Sequence, residues 1–106
     1  MKRGDLFWVE FPDPIGKRPV VLVSRNEAYA VRKNIIVVEV TTRIRHMAAE
    51  VKIPPAAGVQ KNCVANTDQI HTIPKTLLGR KIGALDAHSV RRLDDALRFA
   101  LEVEPI

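Results

Sequence analysis

The residues of this chain that could do chemistry gather in a few short stretches. The first is GKRPVVLVS, residues 16–24, where a basic turn runs directly into an apolar run. Arg18 precedes Pro19, which pushes its backbone to an extended conformation. A guanidinium is a fixed fork of donors, always charged and suited to phosphate oxygens. Lys17 beside it adds a second cation. The same arginine could instead pair with Asp5, Glu10 or Asp13, and residue type alone leaves both readings open. The second stretch is Thr41-Thr42-Arg43-Ile44-Arg45-His46, where hydroxyls, guanidinium groups and an imidazole form an anion-contacting patch or a plain polar turn. The third is Asn66-Thr67-Asp68-Gln69, polar residues set between apolar ones. Such a break makes a bulge or turn, or it presents groups that read bases.

Other chemistries find less support. His46, His71 and His88 lie far apart, with no cysteine or carboxylate at ligand spacing, so no metal site is expected. Gly16-Lys17 leads into a strand rather than a helix, unlike a phosphate-binding loop, and no GxSxG elbow appears. Arg3-Gly4-Asp5 reads as the entrance to a first strand rather than as an adhesion motif. Tyr29, in a polar segment, is the candidate for stacking on a base, and Trp8 is assigned to the core. His88 is expected at the surface. Phe99 lies off the apolar stripe of its helix.

The elements that must position these groups follow from the apolar pattern. DLFWVEF at 5–11, PVVLVS at 19–24, IIVVEVT at 35–41, AEVKI at 49–53, CVANTDQIHTI at 63–73 and RKIGAL at 80–85 read as strands. The 19–24 run is apolar on both faces, so it is expected at the centre of a sheet with Pro19 at its first position. One helical turn each fits 25–34 and 74–79. DAHSVRRLDDALRFALEVEP at 86–105 reads as the one long helix, with Asp86 as its cap and Pro105 as its end. Val90, Leu93, Leu97, Ala100 and Leu101 recur at helical spacing and form its expected core face. The pattern as a whole predicts a mainly β fold with α: a small, strongly bent antiparallel sheet or barrel with one packed C-terminal helix.

A chain of 106 residues makes one domain, 1–106, and it carries a net charge of +5. Residues 1–85 hold 14 of the 17 Lys and Arg but 7 of the 12 Asp and Glu, so the basic balance lies in the sheet-forming part. Such a balance suits a phosphate backbone. The single cysteine, Cys63, allows no intramolecular disulfide and fits a reducing cytoplasm. The N-terminal stretch has no signal-peptide pattern, and no apolar run is long enough to cross a membrane.

The ordered set RGDLFWVEF, RPVVLVS, IIVVEVTTRI and CVANTDQIHTIPKTLLGRKIGAL, closed by an amphipathic helix, resembles the MazF/PemK family of toxin endoribonucleases from type II toxin–antitoxin systems. The resemblance covers residues 2–102. It implies a small SH3-like antiparallel barrel with short helices and a C-terminal helix, acting as a homodimer. It implies metal-independent, cofactor-free, sequence-specific cutting of single-stranded RNA, leaving 2′,3′-cyclic phosphate and 5′-hydroxyl ends and so inhibiting translation and growth.

On this resemblance the catalytic arginine falls on Arg18 and the catalytic threonine on Thr41. Lys17, Asp13, Thr42, Arg43, Arg45, Gln69 and Tyr29 are the expected RNA contacts. The loop before the arginine, FPDPIGK, is shorter than in many family members. That leaves Asp13 or Lys17, with His71 as a third choice, to serve as general acid or base. A cognate acidic antitoxin is the expected partner. The alternatives are a non-catalytic toxin that grips a protein such as gyrase through the same fold, or an RNA-binding domain with weak cleavage. The gyrase-directed class relies on an exposed C-terminal aromatic, which LEVEPI lacks.

Overall fold

The computed structural model describes residues 1–104. The strands are β1 Asp5–Glu10, β2 Lys17–Leu22, β3 Asn34–Thr41, β4 Glu50–Lys52, β5 Val64–Pro74 and β6 Leu78–Ala84. A short helix, α1 Ala28–Val31, and a long one, α2 Ala87–Leu101, complete the chain, with 3-10 turns at Pro55–Ala57 and Lys75–Leu77. All six strands form one antiparallel sheet in the order β4-β5-β3-β2-β1-β6. β2 is central, as its two apolar faces require. Val21 joins the cluster of Leu6, Val38, Val40, Ile53 and Leu93, under α2. Val20 and Leu22 join the opposite cluster of Val9, Phe11, Tyr29, Ile35 and Val37. Successive strand side chains point to opposite faces, so one strand feeds both layers.

The sheet curls but is not closed by pairing, since β4 and β6 are both edges. The 3-10 turn after β4 bridges the gap by backbone contact. A Cβ on Gly83 of β6 would lie 1.9 Å from the Ala57 carbonyl oxygen, and one on Gly58 would lie 2.5 Å from that of Ile82. Only glycine permits this approach, and Gly58 also sits at φ +102°, in the left-handed region. The turn and the β6 edge are thereby stapled together.

Two expectations are corrected. β2 starts at Lys17 rather than at Pro19, so Arg18 lies within the strand, paired with Val9 of β1. On α2 the deepest residues are Ser89, Leu93 and Ala96, while Leu101 is 56% exposed. Small side chains at 89 and 96 let the helix approach the sheet closely. The Thr67 hydroxyl exploits that approach: it donates 2.6 Å to the Ala49 carbonyl and lies 3.3 Å from that of Ala96. The Asp86 cap forms as expected, accepting the Ser89 amide at 2.7 Å, and that bond chiefly holds its carboxyl below the usual range. The helix stops at Leu101, with Glu102 at φ 54° as its left-handed cap. The expected stop, Pro105, lies outside the described residues. The entrance residues are structural: Arg3 bonds Asp94 at 2.6 Å, and buried Asp5 meets Lys81 at 3.4 Å.

Candidate nucleic-acid interface

The site is built where the β2–β3 ladder stops. Its last pair is Val20 with Glu39. Each step down β2 is a step up β3, so two further steps bring Arg18 level with Thr41, on one face of the sheet. The ladder fails there for a local reason. Val23 donates to the Ile36 carbonyl across this seam at 3.0 Å. Donors face one neighbour at every second residue, so residue 19 should donate next but one along the seam. Pro19 has no N–H to offer. The pairing ends there, and a cleft of about 520 Å³ lies between these strand ends, Trp8 of β1, the segment after the 3-10 turn and the β6 edge.

The cleft is lined by Lys17, Arg18, Thr41 and Thr42, which sequence reasoning assigned, and by Trp8, Gln60, Lys61 and Arg80, which it did not. Four cations face the space and no carboxylate does. Arg18 has no acidic partner among the described residues. The nearest bond its guanidinium makes is a long one, 3.4 Å, to the Lys17 carbonyl. The alternative pairings are accounted for in part: Asp5 is engaged by Lys81 and by the Lys2 amide. Thr41 is oriented for donation. Its hydroxyl oxygen accepts the Arg43 amide at 3.1 Å, which leaves the hydroxyl hydrogen free for an anion. The Lys17 ammonium lies 5.0 Å from the centre of the Trp8 ring. Trp8 is therefore a half-buried wall of the cleft rather than a core residue. Cys63 also borders the space, but burial pushes its thiol up, away from thiolate chemistry.

The remaining expected contacts lie elsewhere. Tyr29 is corrected outright: it is 6% exposed, packs in the second cluster and donates to the Ser24 carbonyl at 3.0 Å. Its ring has no free face for a base. Asp13 sits in a short exposed loop, pinned by the Phe11 amide on Gly16 at 3.0 Å, and does not line the cleft. Arg43 and Arg45 occupy the loop after β3, where the Glu50 carboxylate takes the Arg45 amide at 3.0 Å; their side chains are exposed and outside the cleft lining. Gln69 is exposed on the bulge of β5, where the register jumps from Val38–Ile70 to Glu39–Asn66. His71 is engaged by Glu39 at 2.5 Å, with its ring 4.9 Å from that of Phe11, away from the cleft lining.

Trp8, Lys61 and Arg80 gave no local signal. They meet only because β6 lies beside β1 and the turn after β4 is stapled to it.

Residues 2–101 match the family of PemK-like, MazF-like toxins of type II toxin–antitoxin systems. The chain is 31% identical over 101 residues to a probable endoribonuclease, MazF5, of Mycobacterium tuberculosis, covering 94% of this chain and 92% of that one. The structure superposes on Mycobacterium tuberculosis toxin MazF-mt6 with a TM-score of 0.88 at 28% identity, over 95% of this chain and 99% of that one. A mycobacterial endoribonuclease solved in complex with its cognate antitoxin shares the fold, with a TM-score of 0.88 at 24% identity, over 100% and 99% of the two chains.

Proposed function

The chain belongs to the PemK-like, MazF-like toxins of type II toxin–antitoxin systems, and from that premise we propose a cleavage mechanism centred on Arg18 and Thr41. The protein is an endoribonuclease toxin acting on single-stranded RNA. The RNA supplies its own nucleophile: the 2′-hydroxyl gives up its proton to a base as its oxygen attacks the adjacent phosphorus, the P–O5′ bond breaks, and the departing 5′-oxygen takes up one proton, so a 2′,3′-cyclic phosphate and a 5′-hydroxyl result with the protons in balance. No serine or thiolate is needed from the protein. What the cleft supplies is positive charge aimed at the non-bridging oxygens, where negative charge grows in the transition state. Arg18 gives a fixed fork of donors, and Thr41 gives a hydroxyl whose hydrogen is free.

The observation that carries this reading is that Arg18 and Thr41, at the end of the β2–β3 ladder, line one cleft with four cations and no carboxylate. A homodimer in the reducing cytoplasm, silenced by a cognate acidic antitoxin, completes the proposal. An acidic, partly disordered segment would fold over this cleft and neutralise it. The structurally similar mycobacterial endoribonuclease is itself held with its antitoxin.

The test is a long single-stranded RNA incubated in excess EDTA with wild type and with Arg18→Ala, followed by end-group analysis. Discrete wild-type cuts ending in cyclic phosphate are expected, with the variant slowed by about 10²–10³-fold, as for the loss of one preorganised donor. Full activity in Arg18→Ala would overturn the mechanism. RNA left intact by wild type would move the function to a protein target on the same fold.

A further inference from the structure

We propose that the far end of the cleft is a second nucleotide subsite, in which Trp8 carries a base and Arg80 with Lys61 holds the phosphate next to the scissile one. This rests on the ribonuclease reading above. Arg18 is opposite Val9 of β1, and Val9 is opposite Leu78 of β6. Two strand steps separate Arg18 from the β6 edge, about 10 Å at ordinary strand spacing. Trp8 lies on the intervening strand, in the wall of the same space. Three neighbouring strands, β2, β1 and β6, thus line one space with a cation, an aromatic and a cation, which suits phosphate, base, phosphate in a single strand.

Arg80 and its neighbour divide their labour. Lys81 meets buried Asp5 and belongs to the fold, whereas Arg80, one residue earlier, lines the cleft and has no acidic partner among the described residues. Lys61 is brought to Arg80 by the glycine staple, because the turn that precedes it is fixed against Ile82 and Gly83. Charge counting points the same way. One scissile phosphate carries one negative charge and leaves most of the four cations unmatched. A second phosphate at Arg80 and Lys61 offsets one more and gives that end of the cleft its own counter-charge.

The experiment uses a short cleavable RNA in which one linkage at a time is a neutral methylphosphonate, with wild type, Arg80→Gln and Lys61→Gln. Both substitutions are at exposed positions. Arg80→Gln is expected to raise KM about tenfold with kcat little changed, and to lower the salt slope of binding by about 0.7, one phosphate's share on a single strand. The neutral linkage beside the scissile one should cost wild type about tenfold and cost Arg80→Gln little. An abasic sugar at the nucleotide between should weaken wild type and leave Trp8→Leu unaffected. Equal sensitivity of wild type and Arg80→Gln at every linkage overturns the subsite while the ribonuclease reading stands. A wild type that cuts no RNA overturns both. Unchanged RNA kinetics with lost binding of an acidic peptide would assign these cations to a protein partner instead.

Discussion

In the proposed mechanism Arg18 and Thr41 are available through what their neighbours leave undone: Pro19 withholds a donor, and the Arg43 amide takes up the acceptor side of the threonine hydroxyl. Tyr29 shows the opposite case, a group used up by the fold. Burial pushes its phenol from 10.0 up to about 12. Above pH ~10 the unfolded chain releases this proton while the native state keeps it, so the native state binds more protons and stability falls as pH rises. The window runs from about pH 10 to about 12. Denaturant midpoints of wild type and Tyr29→Phe should show it. The variant should lose about 1 kcal/mol near neutral pH with its hydrogen bond to Ser24, and that gap should shrink through the window. A gap that stays constant with pH would mean the phenol is not held neutral by the fold.

At the scale of elements, the contact between β6 and the turn after β4 holds both walls of the cleft. Gly83→Ala places a methyl carbon 1.9 Å from a carbonyl oxygen, so strand or turn must move. A cost of about 2–3 kcal/mol is expected in chemical denaturation, together with a raised KM as Lys61 and Arg80 drift apart. An unchanged midpoint would show that the edge yields freely. This is also where sequence reading reached its limit. Six strands and a capped final helix were legible, because strand periodicity and capping are local; Arg18 and Thr41 were singled out by the family resemblance, since residue type alone left an ion pair open, and the structure sets both in one cleft. Tyr29 was expected at the surface and is buried, while Trp8 was expected in the core and lines the cleft. Alternation alone does not say which side of β1 opens onto a cleft, and the polar surroundings of Tyr29 hide the Ser24 carbonyl that draws it inward. The helix stripe holds at Val90, Leu93 and Leu97 and fails at Leu101, and it leaves out Ser89 and Ala96, which are buried for their smallness rather than their hydrophobicity. Lys61 and Arg80 were missed because the sheet's curl, not chain proximity, brings them together.

At the scale of the whole molecule, a chain of net charge +5 sets four of its 17 Lys and Arg around one cleft that no carboxylate lines. Binding of a non-cleavable single-stranded oligonucleotide should therefore depend steeply on salt. If the cleft neutralises two phosphates, raising salt fourfold weakens binding by roughly sevenfold. A flat salt response in fluorescence anisotropy would count against the cleft as the binding surface. Like charges held together without acids also work against the empty fold. Nucleic acid or an acidic partner relieves that repulsion, so either should raise the melting temperature.

The glycine staple bears finally on how this protein can change. Most damaging substitutions in a packed core admit second-site suppressors, because a neighbouring side chain can shrink to make room. At Gly58 and Gly83 the obstacles are the Ile82 and Ala57 carbonyl oxygens, which every residue carries. No substitution at those neighbours removes them. In a library selected for growth arrest, both glycines should stay fixed even where flanking positions drift, and revertants of either should restore glycine itself.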